Sequence, residues 1–201
     1  MISPKNIHCL ALNYKGVGDI KEIPLYFVKS LSALCFSGAK VRYPSGTESL
    51  WTEVELTIVV KEDCYQVSEE DAHNFIEGYI VGADLTCKNL YTRDHHLGFS
   101  KSRENFCPVS SDLVSLSRSE VKDLELFTEI NGKITQQGNI NEMKLDPFQS
   151  FSFVSGITSL KKGDIILTGT PKGVENNIVK RGDEIVQYIP GIGRIEYSVG
   201  E

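Results

Sequence analysis

Glu53 and Glu55 stand two residues apart in the stretch Glu53-Val-Glu-Leu-Thr-Ile-Val-Val60. The stretch alternates at first and then turns apolar, the pattern of a strand entering a core. On a strand such residues share a face, roughly 6.5–7 Å apart at the backbone. Val54, Leu56, Ile58 and Val60 point the other way, while Thr57 and Val59 continue the glutamate face and make it apolar. Two carboxylates there repel each other unless water or a cation separates them. Asp84 follows Glu55 by 29 residues, at the end of the apolar run Tyr79-Ile-Val-Gly-Ala83. A carboxylate closing a core strand either caps a turn or presents a ligand at the rim of a sheet. Three carboxylates with no His or Cys partner make an oxygen-only set, suited to Mg²⁺, Mn²⁺ or Ca²⁺. Taken alone, a solvated strand face explains the glutamate pair better.

The remaining candidates are weaker. Lys101, in Gly98-Phe-Ser-Lys101-Ser102, reads by itself as a surface lysine. Gly169-Thr-Pro-Lys-Gly173 is a tight loop with backbone N–H groups and the Thr170 hydroxyl on offer, but its spacing is not that of a Walker phosphate loop. His95 and His96 are adjacent, so their side chains diverge and one ion rarely takes both; they are assigned to a loop. His8 and His73 have no partner nearby in sequence, and no Gly-x-Ser-x-Gly elbow is present.

The elements that must position these residues are mostly strands. Residues 53–60, 79–85, 164–168 and 184–189 read as strands, and Leu124 to Gln137 as a hairpin turning at Asn131-Gly132. Leu160-Lys-Lys-Gly-Asp164 and Val179-Lys-Arg-Gly-Asp183 read as one recurring turn before a strand. Ser68-Glu-Glu-Asp71 is a capping box, with Ala72, Phe75, Ile76 and Tyr79 at helical spacing after it. Asp146-Pro147 opens a second helix through Phe148, Phe151 and Val154, which Gly156 is expected to end. Strands outnumber helices without regular alternation, which predicts a β-rich α+β domain.

A chain of 201 residues is long enough for one domain with its own core. With 40% hydrophobic and 24% charged residues it is globular rather than disordered. Lys+Arg 21 against Asp+Glu 27 gives −6 with no basic stripe, which argues against a nucleic-acid partner. No apolar run reaches the roughly 20 residues of a membrane helix, so no membrane partner is expected. The N-terminus lacks a secretion signal, so the expected compartment is the cytoplasm. Residues 51–100 hold 10 acids against Lys61, Lys88 and Arg93, a local net of −7. Such a region is a solvated face or a cation site. Five cysteines with no Cys-x-x-Cys point to buried thiols, not to a disulfide framework.

Together and in order, these pieces resemble the fumarylacetoacetate hydrolase family, its small bacterial acylpyruvase-like members in particular. The matching segments are Asn13-Tyr14, Pro24-Leu-Tyr-Phe-Val-Lys29, Glu53-Val-Glu-Leu56, Gly78-Tyr-Ile-Val-Gly-Ala-Asp-Leu-Thr86, Ser100-Lys101-Ser102, Asn131-Gly132, Gln136-Gln-Gly138 and Gly163-Asp-Ile-Ile-Leu-Thr-Gly-Thr-Pro-Lys-Gly-Val174. The resemblance runs from about Ile7 to Val199, within one catalytic domain over 1–201 whose segment 1–45 matches less well. The resemblance implies mixed sheets rolled around a central metal site, and a homodimer. It implies Mg²⁺ or Mn²⁺ on Glu53, Glu55 and Asp84, Lys101 as the catalytic lysine, and Asn13, Tyr14, Gln136 and Thr170 at the substrate. The substrates it implies are small 2-oxo acids or β-dicarbonyls, handled through a metal-stabilised enolate that Lys101 assists by its charge or by moving a proton.

One stretch departs from the family pattern. Hydrolytic members carry an Arg before the Asn-Tyr pair, then a His and a Glu three residues later that activate water. Here Leu12 stands for the Arg, Val17 for the His and Ile20 for the Glu, and Asp19 is one position off. Tautomerisation or decarboxylation suits that loss better than the C–C hydrolysis typical of the family. A non-catalytic member that binds a metal or an oxo acid is the alternative.

Overall fold

The computed structural model describes residues 2–18, 23–88 and 97–200. Among them are β1 (Ile7–Ala11), β2 (Leu25–Lys29), β3 (Leu34–Phe36), β4 (Lys40–Arg42), β5 (Leu50–Val60), β6 (Ile76–Cys87), β7 (Cys107–Val109), β8 (Glu125–Ile130), β9 (Lys133–Asn139), β10 (Ile165–Leu167), β11 (Ile178–Val179), β12 (Glu184–Ile189) and β13 (Gly193–Gly200). The helices are short: α1 (Ala72–Phe75), α2 (Leu97–Lys101), α3 (Arg118–Val121) and α4 (Pro147–Ile157).

Two mixed sheets result. The larger runs β2-β1-β10-β5-β6-β7-β3, with β11 added to β5; the smaller runs β4-β13-β12-β8-β9. Pairs β1/β10, β3/β7 and β4/β13 are parallel and the rest antiparallel. A flat path of seven strands at about 4.8 Å spacing would hold its edges about 29 Å apart. Yet edge strands β2 and β3 are joined only by Ser30 and the 3₁₀ turn Leu31–Ala33. The large sheet must therefore curl until its edges lie side by side. The inner face of that roll carries the acids. The outer face of β5, with Thr52, Val54 and Leu56, packs toward the small sheet, where Thr52 meets Tyr197 and Gln187.

Local chemistry explains most elements. Asp146 caps α4 by accepting from Phe148 and Gln149 N–H, and Gln149 returns the bond to the Asp146 N–H. The two Gly-Asp turns are built alike: Lys161 N–H donates to Asp164 and Lys180 N–H to Asp183, and Gly163 and Gly182 take left-handed φ of 83° and 92°. Among the described residues no helix is long and apolar enough to cross a membrane. All five cysteines are free.

Three expectations need correction. The helix after Ser68 stops at Phe75, because Ile76 and Tyr79 belong to β6 and pair with Val60 and Ile58. Eleven ladder positions against β5 outweigh one amphipathic turn. Gly156 lies inside α4, which runs one residue further and closes at Thr158. Asp84 does not close its strand; β6 continues for three more residues to Cys87.

Candidate metal centre

Adjacent antiparallel strands build the acidic centre. The register sets Glu53 opposite Asp84 and Glu55 opposite Gly82, so all three carboxylates leave one face of one strand pair. Gly82 leaves room there: a Cβ at that position would meet Thr57 Oγ1 at 2.3 Å. The site is buried, with Glu55 and Asp84 each 1% exposed.

Two lysines close over it. Lys101, the last residue of α2, donates to Glu53 Oε2 at 2.8 Å, Asp84 Oδ2 at 2.7 Å and Thr86 Oγ1 at 2.7 Å. Lys29, the last residue of β2, binds the other Asp84 oxygen and donates to Phe106 O at 2.7 Å. Lys29 is four strands from Asp84 along the sheet, and only the curl brings it there. Glu53 Oε1 accepts from Trp51 Nε1 at 3.0 Å. Glu55 accepts from the Gly169 N–H, and no ion pair of Glu55 is found among the described residues.

The charges act strongly on one another. Burial pushes the Glu55 carboxyl well up, and Asp84 and Glu53 add to that; Lys101 and the Gly169 N–H oppose it. Burial pushes Asp84 up as well, but Lys101 and Lys29 outweigh it and hold Asp84 below the usual carboxylate range. Burial would deprotonate Lys101, yet Asp84 and Glu53 overcome it and lift its pKa well above that of a free lysine. In this metal-free arrangement the two carboxylates favour the charged form of Lys101.

The donor set fits a hard dication. With all three acids ionised, as metal ligands must be, three carboxylates against two ammoniums carry a formal net charge of −1. One oxygen from each acid lies within 4.8 Å of the others. In an octahedral shell of about 2.1 Å bonds, ligand pairs stand about 3.0 or 4.2 Å apart, so the three oxygens would draw in from their present spread to share one ion. Thr57 lies next on the Glu55 face, and Glu55 together with burial raises the Tyr14 phenol. Both have buried hydroxyls with no hydrogen-bond partner among the described residues, which leaves them free to bond water around an ion.

The other sequence candidates separate by what holds them. The Asn13 amide donates to Leu145 O at 3.0 Å and Thr168 O at 2.8 Å and accepts from Leu145 N, tying the end of β1 to α4 and β10. Tyr14 is fully buried near Glu55. Gln136 and Thr170 bond each other at 3.1 Å. Val17 is half-buried against the core, in a loop whose Gly16 lies beside Lys172. Asp19, Ile20, His95 and His96 lie outside the described residues. His8 bonds Tyr26 and Asp164, and His73 the Glu70 carbonyl. Sequence reasoning gave Lys29 no role; a lysine closing the apolar strand Leu25–Lys29 was the available signal.

Comparison with known proteins bears on this geometry. The family model described as fumarylacetoacetate (FAA) hydrolase C-terminal matches residues 6–200. The mitochondrial oxaloacetate tautomerase of Bos taurus is 33% identical over 97% of this chain and 91% of its own length. The 2-hydroxyhepta-2,4-diene-1,7-dioate isomerase of Mycobacterium marinum superposes with a TM-score of 0.90 at 31% identity, covering 99% of this chain and 75% of that one. A fumarylpyruvate hydrolase of Pseudomonas aeruginosa, solved with Mn²⁺ and pyruvate, shares the fold with a TM-score of 0.89 at 24% identity, over 99% of this chain and 91% of that one. With β-rich sheets curled around an acidic centre and a match over nearly its whole length, the chain belongs to the fumarylacetoacetate hydrolase family.

Proposed function

We propose that the protein is a metal-dependent enzyme acting on a small 2-oxo acid, and that it tautomerises its substrate rather than hydrolysing it. The observation that carries this reading is the Glu53/Glu55/Asp84 set under the Lys101 ammonium. When bound, Mg²⁺ or Mn²⁺ supplies Lewis-acid stabilisation of negative charge developing on the oxo-acid oxygens. Glu53, Glu55 and Asp84 hold the ion. Lys101 adds a fixed positive charge beside it, and Lys29 holds Asp84 from behind. The loop from Gly169 fixes Glu55 through one N–H and offers Thr170 to the substrate.

Tautomerisation needs a stabilised enolate and a proton carrier; C–C hydrolysis also needs an activated water. Val17, half-buried and apolar, gives no base for that water. The relative named an oxaloacetate tautomerase supports the same preference. We include a homodimer in this reading on the strength of the family resemblance, with light scattering as its check.

The test is a pair of assays on Mg²⁺-loaded protein. Oxaloacetate tautomerisation, followed by ultraviolet absorbance, should be catalysed. Pyruvate release from acetylpyruvate should be slower by about 10²- to 10⁴-fold than in a relative with the His–Glu pair, the usual worth of general-base help. Val17→His with Ile20→Glu should raise hydrolysis. Fast hydrolysis by the parent would refute the tautomerase assignment. Metal binding without turnover of either compound would favour the non-catalytic binder.

A further inference from the structure

Glu53 is the most open of the three acids, and its two oxygens are held by different groups. Its side chain is 14% exposed against 2% for Asp84, so it has more room to turn. Glu53 Oε1 accepts from Trp51 Nε1 at 3.0 Å and from the Thr86 hydroxyl at 3.4 Å. Glu53 Oε2 accepts from Lys101, which also donates to Asp84 Oδ2. The shared ammonium marks Oε2 as the Glu53 oxygen turned toward Asp84.

The donors on Oε1 are fixed and neutral. Trp51 stands two residues before Glu53 on β5, where the strand is paired on both sides, to Thr86 of β6 and Ile178 of β11. Its indole N–H can only donate. Lys101 donates into the Thr86 hydroxyl at 2.7 Å, so that hydroxyl sends its own proton onward to Glu53. Two donors then meet the two lone pairs of Oε1 and leave it little capacity for an ion. Oε2 has a single donor, and its second lone pair stays open.

We propose that Trp51 is a positioning residue that restricts Glu53 to one metal-ligating oxygen, Oε2, and thereby favours Mg²⁺ or Mn²⁺ over Ca²⁺. The inference rests on the metal centre proposed above. A small dication demands a tight octahedron, whereas Ca²⁺ takes more ligands at longer range and often binds both oxygens of one carboxylate. Three one-oxygen acids leave half an octahedron open to substrate and water. A Glu53 that turned both oxygens inward would close one of those positions. Because the indole is neutral, loss of its N–H changes the geometry of Glu53 and not the charge of the centre.

The experiment is calorimetry of the full chain with Mn²⁺ and with Ca²⁺. The parent should prefer Mn²⁺. Trp51→Phe keeps an aromatic ring and removes the N–H. It should weaken Mn²⁺ binding about tenfold, within the usual worth of a group that orients a metal ligand, and leave Ca²⁺ binding unchanged or tighter. Trp51→Gln puts an amide nitrogen the same number of bonds from Cβ as the indole nitrogen, and should bring the Mn²⁺/Ca²⁺ preference back toward the parent. Trp51→Met has the length of glutamine without the N–H and stands in if Trp51→Phe does not fold. A residue that only supports β5 would lower both affinities together. Trp51 is also the only tryptophan of the chain, so the parent's emission should change on Mg²⁺ addition and saturate at the calorimetric affinity. An unchanged preference in Trp51→Phe, or one lost equally in Trp51→Gln, overturns the role of the N–H and leaves the metal centre intact. Emission that ignores Mg²⁺ while calorimetry shows binding does the same. A parent that binds Ca²⁺ as tightly as Mn²⁺ overturns the selectivity. A parent that binds neither ion overturns both the proposal and the reading beneath it.

Discussion

Two buried carboxylate sites in the same curled sheet have opposite character. Asp164, at the start of β10, accepts from the backbone N–H of Lys5, Asn6 and Lys161 and from the Asn6 amide, at 2.8–3.1 Å. His8 Nε2 stands at 3.4 Å and is itself held through Nδ1 by Tyr26. Burial pushes Asp164 up, yet these bonds, His8 and Asn6 first, bring it down to about 2. Glu55, equally buried, has the Gly169 N–H and two acidic neighbours, and its pKa rises. Fixed neutral donors saturate the first carboxylate, which makes it a structural brace. The second lacks them, so its charge is left to be met by a cation. The number of fixed donors separates a bracing acid from a ligating one when burial alone cannot.

The comparison predicts opposite outcomes of mutation. Glu55→Ala should abolish Mn²⁺ binding, read by calorimetry. It should leave the metal-free melting temperature unchanged or raised, since it removes a poorly satisfied buried acid. A variant that keeps its Mn²⁺ affinity would take Glu55 out of the centre. Lys101→Met strips the ammonium from Glu53 and Asp84. Breaking a buried ion pair on one side costs about 3–5 kcal/mol, so the metal-free variant should unfold at clearly lower denaturant. Saturating Mn²⁺ should return much of that loss, because a second cation then meets the same oxygens. No recovery with Mn²⁺ would show that the ion does not share the lysine's carboxylates.

Much of this contrast is legible in the sequence where it rests on local chemistry. Spacing alone puts Glu53 and Glu55 on one face, Asp146-Pro147 announces α4, and the repeated Lys-x-Gly-Asp phrase gives two matching turns. What depends on the curl is not legible. Lys29 reaches Asp84 only because β2 folds back over β6. Asn13, expected at the substrate, spends its amide on Leu145 and Thr168, and those contacts are 132 and 155 residues away. β6 shows the competition between ranges: Ala72 to Tyr79 has helical spacing, and the ladder to β5 overrides it after one turn. β13 has a local signal of its own, the alternation of Ile195, Tyr197 and Val199, all buried, after the turn dipeptide Pro190-Gly191.

The smallest effect sharpens the other half of the contrast. If Asp164 is a brace, its contribution depends on its charge and has a sign set by its depressed pKa. Such a group stabilises the fold at pH above its unfolded value, near 3.8, and the stabilisation is lost as pH falls toward about 2. The size is on the order of 2 kcal/mol for a shift of nearly two pH units in a fully buried carboxylate. Asp164→Asn should lose about that much at pH 7, because an amide cannot accept from every donor around it. The gap between parent and variant should be flat from pH 7 to about 5 and shrink below pH 4. Other acids titrate in both proteins, so the difference isolates this one. Mn²⁺ affinity should be unaltered in the variant, since none of the donors on Asp164 touches Glu53, Glu55 or Asp84. A gap that stays constant down to pH 2 would mean that Asp164 braces the turn by shape and not by charge.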